Sequence, residues 1–444
     1  IRVLQDMMQA TVIFILRSKL PIIVKNQMKM PDSNKNISYM EDLFRKMRPL
    51  PPYEQRDFAA CQDAFDEHVI EGWYCAREYV LEQLSKDKNM GADGIHPFSS
   101  DHVHVIIHYT SPMSLYVARQ IALVTHFPNF REGDGRKYIP KYCTKITILY
   151  NRIMHPNILK ELKKDEYLCN LPDVCKCSLV NGNTGEIFEI INKQSYIDIE
   201  LELVAYEDDE FNEYTPKREE GCGLQPVIID NDVLGKISHS TQKIDVRNAR
   251  RVNMVYNVGA DIDNLPPDDP NTAERYGKAL LYFCYQQPLE ETKEKWDSLC
   301  SDKENDMTLA YQINLRNKLS NVFCSDCIPT RIKSVLDKPD DLLTKDEKGL
   351  LAIVKDNLQV LAQCEHARWN VEKLILGFSP LTPEERWEDA QLFGTSRNVY
   401  RKSLKKKGHH IDLCSYQDLR RIDPGNMKYD CFLMLAIPKI LRSY

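Results

Sequence analysis

Glycine is scarce in this sequence, 17 of 444 residues, and it never falls at the spacings that carry nucleotide or acyl chemistry. No G-x-G-x-x-G, no G-x-x-x-x-G-K-[ST] and no G-x-S-x-G occurs. These absences argue against dinucleotide binding in its usual form, phosphate-loop hydrolysis and α/β-hydrolase catalysis. Surplus positive charge is also missing: 59 Lys and Arg against 65 Asp and Glu give a net −6. With no bulk field to neutralise a phosphate backbone, no nucleic-acid partner is expected.

The 14 cysteines show no disulfide framework. Cys175/Cys177 and Cys324/Cys327 lie close in sequence, but neither pair has a second pair at finger-like spacing, so no metal site is expected. Long apolar runs are absent as well. Residues 8–24 are interrupted by Arg17 and Lys19 and fall short of the ~20 apolar residues a membrane span needs. No secretory signal opens the given sequence. Reduced thiols and a cytoplasmic location are expected, the alternative being the soluble part of a membrane-attached protein with its membrane segment or effector partner upstream.

What is present is ordinary globular material, 43% hydrophobic and 28% charged. The length exceeds what one core usually serves. Three regions are expected: a mostly helical segment over 1–99, an α/β domain over 100–345 and a mainly helical domain over 346–444. In the first, the MRPLPPY break precedes a long helix over 54–86.

In the second, HVHVIIHY (102–109) is a β-branched strand, a helix containing Ala118, Ile121 and Val124 follows, and KITILY (145–150) is a second strand. Further strands are expected over 175–181, 196–206, 226–230 and 252–257, with a solvated acidic loop over 207–223. Strands alternating with helices predict a mostly parallel, Rossmann-like sheet. A helical region follows over 302–335. The basic run Arg401, Lys402, Lys405, Lys406, Lys407 reads as a solvated loop, the alternative being a local phosphate contact.

The first strand leads into Thr110-Ser111-Pro112-Met113-Ser114. Ser111 suits an N-cap and Pro112 the first helical position. Unpaired N–H groups at such a terminus favour an anion, so Thr110, Ser111 and Ser114 are candidate contacts for a nucleotide or dinucleotide. The second strand ends in Tyr150-Asn151-Arg152 rather than the acidic residue that binds a ribose. The arrangement resembles the Rossmann domain of the potassium-uptake regulatory (Trk-type) family, which in some bacterial proteins precedes a ryanodine-receptor-type domain. The alternative is a Rossmann scaffold that only packs.

From Leu350, Leu351, Val354, Leu358 and Leu361 recur at helical spacing, and the helix is expected to continue to Gly377, a natural terminator. At 100° per residue, His366, Trp369 and Lys373 fall within about 60° of one another, with Glu365 and Glu372 beside them. That face would stack a base on Trp369, hydrogen-bond a ligand through Glu365 and His366, and offer Lys373 to a phosphate. Alternatively, Trp369 is core, and Glu365 and His366 tie down the next loop.

Together with His410-Ile411-Asp412-Leu413, Tyr416, Leu419 and Tyr429-Asp430, this pattern resembles the ryanodine-receptor repeat domain. Phe378 stands where tryptophan is usual, and Ile411 and Ser415 stand where prolines are usual. The resemblance implies a small-molecule module with nucleotide-derived ligands. It places the ligand between the Glu365, His366, Trp369 and Lys373 face and the loop carrying His410 and Tyr416. The expected function is non-enzymatic sensing of a nucleotide-like small molecule. The alternatives are an NAD(P)-dependent oxidoreductase-like or nucleotide-processing enzyme, and a pure protein-interaction scaffold.

Overall fold

A computed structural model describes residues 67–130, 142–237, Ser320 and 323–442, apart from 165–166, 193–194, 208–210, 212–213, 215, 217–219 and 424. The expected strand at 252–257 and the proline-rich break lie outside the described residues. Helix α1 (Glu67–Lys86) precedes strand β1 (His104–Tyr109), helix α2 (Pro112–Val124) and strand β2 (Thr144–Asn151). Two short helices, α3 (Ile158–Leu162) and α4 (Leu171–Val174), lead to β3 (Lys176–Asn181), β4 (Ile187–Asn192) and β5 (Ile199–Tyr206). Strand β6 (Val227–Ile229) and helix α5 (Asn231–Ile237) complete this part.

The sheet order is β4-β3-β5-β2-β1-β6. All pairings are parallel except β3 with β4. Parallel strands covered on both faces should carry near-continuous apolar runs, and Val105, Ile106, Ile107, Ile146, Ile148 and Leu149 are fully buried. The expected α/β layering with a mostly parallel sheet is therefore present. Strand β4 was not anticipated. It forms a hairpin with β3 through a turn in which the Asn181 side chain accepts from the Asn183 and Thr184 N–H groups at 2.9 and 3.2 Å.

The helical remainder contains α6 (323–333), α7 (Asp341–Thr344), α8 (Glu347–Asp356), α9 (Leu358–Ile375) and α10 (Pro383–Gln391). Helices α11 (Gly394–Lys406), α12 (Tyr416–Ile422) and α13 (Met427–Arg442) follow. The helix expected to run unbroken from Leu350 instead stops at Asp356 and restarts after Asn357, whose φ is −110°. The basic run lies on α11 and its C-terminus rather than in a loop. Two residue-pair strands, β7 (Ser379–Pro380) and β8 (His409–His410), close the segment between α9 and α12.

Helix α9 packs on α2, and α13 packs on α8 and α9. Val371, Leu374, Ile375, Phe378 and Leu413 join the main core beneath the sheet, alongside Val105, Ile107, Ile146 and Leu201. A second cluster holds Ile328, Ile332, Val354 and Leu361 against Leu433, Met434 and Ile437.

The chain between α1 and β1 is seated on the end of α6. Ile95 N–H donates to Ser334 Oγ at 2.9 Å, and Lys333 Nζ donates to the Ala92 carbonyl at 2.7 Å. Gly94 sits there at φ +82°, and a Cβ would fall inside contact distance of the Ser334 backbone nitrogen. Positive φ and a rigid neighbour add, so Gly94→Ala should cost about 2–4 kcal/mol. The check is a loss in the urea-unfolding midpoint; an unchanged midpoint would mean the loop does not seat on α6.

Candidate functional site

Helix α9 is the backbone of the site. Its C-terminus ends in a left-handed Gly377 at φ +85°, with the Phe378 N–H bonded to the Lys373 carbonyl at 2.9 Å and the Gly377 N–H to the Leu374 carbonyl at 3.1 Å. That is the glycine-terminated helix end expected when the chain must leave sharply. The departing strand β7 pairs with β8, matching Pro380 to His410, and this brings His410 back over α9.

Trp369, partly exposed, is the centre of the resulting cluster. Its ring lies 5.9 Å from His366 at 15° and 5.0 Å from His410 at 77°, and Lys373 Nζ is 5.6 Å from its centroid. Tyr416 packs 5.7 Å from His366, and Phe378 packs 5.9 Å from His410. The structure therefore gathers His366, Trp369, Lys373, His410 and Tyr416. It directs Glu365 elsewhere: that carboxylate is fully buried and bonds Arg331 Nη1 at 2.6 Å and Arg368 Nε at 2.9 Å. Helical spacing placed Glu365 beside His366; the unforeseen factor was α6, whose Arg331 claims it from the other side.

His366 is held tightly. Its Nε2 donates to the Cys414 carbonyl at 3.0 Å, where Asn370 Nδ2 also donates at 2.9 Å, and its Nδ1 faces Asp430 at 3.6 Å. Burial alone would lower its pKa, but the bonds to Asp430 and Cys414 hold it up at about 10. His410 is the opposite case, pushed well below the usual histidine range by burial and then by the charges of Lys405, Lys373, His366 and Arg401. Its Nδ1 accepts the Asp412 N–H at 3.3 Å, as a neutral ring does.

Cations therefore converge on this corner. Lys373 is tied to Glu372 at 2.7 Å, and Arg401 to Asp389 and Asp423 at 2.6 Å each. Lys405, from the end of α11, has no ion pair among the described residues. Its pKa is lowered by burial around its ammonium and then by the charge of Lys373. Asp412 is raised to about 6, chiefly by burial, and its buried Oδ1 has no partner. The sequence pattern does not bring Lys405 and Asp412 to this corner: Lys405 lies in a basic run beyond the α9 face, and Asp412 shows no signal of its own within His410-Ile411-Asp412-Leu413.

The loop carrying these groups is anchored to the α/β part. Tyr196 OH donates to the Leu413 carbonyl at 3.3 Å, and Asn170 Nδ2 donates to the Phe378 carbonyl at 3.0 Å.

The second candidate cluster stays in one turn, where the Thr110 N–H donates to Ser114 Oγ at 3.4 Å, but its hydroxyls point to different partners. Ser114 is buried, donating to the His108 carbonyl at 2.8 Å, which makes it a local brace. Ser111 caps α2 by position, with no side-chain cap bond. Thr110 is exposed and donates to Asn231 Oδ1 at the start of α5. Thr110 and Asn231 thus meet at the carboxyl ends of β1 and β6, where open parallel sheets tend to bind ligands. Cys175, Cys177, Cys324 and Cys327 are all buried, and burial raises every one of these thiols.

No family model, curated protein or solved structure matches the chain. Among the described residues, no helix is long and apolar enough to cross a membrane.

Proposed function

We propose that the chain is a non-enzymatic sensor of a small anionic, nucleotide-like ligand, held at the Trp369 corner between α9 and the loop carrying His410 and Tyr416. The observation that carries this reading is a partly exposed indole with Lys373 Nζ 5.6 Å from its centroid, together with the repulsion between Lys373 and Lys405, which an anion would relieve. An aromatic face beside ammonium groups suits a planar heterocycle with a phosphate. The ryanodine-receptor-type resemblance points the same way. A Rossmann-like reading of the sheet is supported by the parallel run β5-β2-β1-β6, which has the 3-2-1-4 order of that fold once the β3–β4 hairpin is set aside.

Sensing requires that the ligand prefer one of two arrangements. The anchoring of the site loop by Tyr196 and Asn170 provides a route from ligand to sheet.

The test is a thermal-shift series with adenine and guanine nucleotides, NAD, ADP-ribose and cyclic nucleotides. One class at about 100 times its dissociation constant should stabilise the chain by about 2.7 kcal/mol. Lys405→Ala, which removes no ion pair among the described residues, should abolish the rise while leaving the unliganded melting temperature intact, and Trp369→Ala should abolish it as well. No rise with any nucleotide would remove the proposal and favour the scaffold alternative.

A further inference from the structure

Apart from that corner, the α10–α11 hairpin has an outer surface that the sensing role does not use. Phe393 is 78% exposed, Trp387 68% and Val399 62%. Scattered exposed apolar residues need no explanation, but these three lie within thirteen residues of one another. The segment 390–411 contains no Asp or Glu and six Lys or Arg. Arg397 and Arg401 are consumed inside the hairpin by Asp389, at 2.7 and 2.6 Å. Lys402, Lys406 and Lys407 are left exposed with no ion pair among the described residues.

Helical geometry organises what remains. Leu404 is 3% exposed and marks the inward face of α11. At 100° per residue, Val399, Lys402 and Lys406 fall together on the opposite side, and Phe393 stands at the N-cap. The result is an outward face pairing apolar side chains with lysines, the composition of a helix that lies in a membrane interface.

We propose that this hairpin docks on an anionic lipid bilayer, with Phe393 and Val399 entering the interface and Lys402 and Lys406 meeting the headgroups. Charge complementarity selects the occupant. The α11 face is cationic on a chain of net charge −6, whereas on α10 Trp387 lies among exposed Glu384 and Glu388 and stays outside the docking face, so a neutral surface would gain little from it. A polyanion such as nucleic acid would satisfy the lysines but leave Phe393 and Val399 in water.

Co-sedimentation of the full chain with vesicles of phosphatidylcholine alone, or with phosphatidylserine added, tests the proposal. Binding is expected on the anionic vesicles alone and should fall as salt rises. Lys402→Gln with Lys406→Gln should weaken it about 25-fold, roughly fivefold per lysine. Phe393→Ser with Val399→Ser should weaken it at least about tenfold. All four positions are exposed, and unchanged melting curves would confirm that each variant folds. No binding to anionic vesicles, or equal binding to neutral ones, overturns the proposal. So does an apolar double variant that binds like wild type.

Discussion

Replacing Glu365 with alanine is expected to destabilise the protein by about 3–5 kcal/mol, the cost of leaving buried charge without its partner. Glu365, Arg331 and Arg368 are all fully buried. One carboxylate serves both guanidinium groups: Arg331 Nη1 at 2.6 Å, and Arg368 through Nε at 2.9 Å and Nη2 at 2.8 Å. Arg368 continues to Glu372 at 2.6 Å, which also accepts from Ser320 at 2.7 Å and Lys373 at 2.7 Å. Burial would raise the Glu365 pKa, but Arg368 and Arg331 outweigh it and hold the group ionised. Removing that charge leaves Arg331 in a dry interior without a carboxylate and Arg368 with Glu372 alone. Glu365→Gln, which keeps the shape and some hydrogen bonding, should cost nearly as much, because the charge is what balances the arginines. The measurement is the urea-unfolding midpoint of both variants. A loss below about 1 kcal/mol for the alanine variant would mean that water reaches the network.

The same network shows how far sequence reasoning reaches here. Strands β1 and β2 were readable because parallel strands buried on both faces become β-branched runs, as in Ile106-Ile107 and Ile146-Thr147-Ile148. Strand β4 was not readable. Ile187, Phe188 and Ile190 are 59, 53 and 45% exposed, so the strand lies at the sheet edge with no buried face to impose alternation. The break at Asn357 was hidden for a related reason: Leu351, Val354, Leu358 and Leu361 keep helical spacing across it. Helical periodicity registers which side is apolar, and both helices bury the same stripe. Glu365 was placed with the ligand face because a helical wheel has no knowledge of Arg331, 34 residues upstream and on another helix. The meeting of Trp369 with His410, by contrast, is implied only by the ryanodine-receptor-type resemblance, since no local pattern joins residues 41 apart, and the β7–β8 pairing gives its physical basis.

Stability should fall by about 2–3 kcal/mol between pH 6.5 and 8.5, and His366 should account for it. The sign follows from linkage. His366 has its folded pKa raised to about 10 from the usual 6.5 of a histidine, so the native state holds a proton that the unfolded chain releases. The stabilisation is complete below 6.5 and is lost as pH climbs toward 10, at about 1.4 kcal/mol per unit. His410 has the opposite sign: its pKa is depressed, so its contribution is present above 6.5 and lost as pH falls. It therefore does not affect the alkaline window. Buried thiols such as Cys177 and Cys431, both raised to about 12 by burial, add a further alkaline loss only above about 9, where unfolded cysteines begin to ionise. Lys405, lowered by burial, contributes with the opposite sign as pH rises, so the share that belongs to His366 between pH 6.5 and 8.5 is read from the comparison with a variant. His366→Gln retains a donor for the Cys414 carbonyl but carries no charge to meet Asp430, so its urea midpoint should be nearly flat across that interval while the wild-type midpoint declines. A flat wild-type curve would mean that His366 is neutral in the folded state. In that case the positive rim of the Trp369 corner would shrink to Lys373 and Lys405.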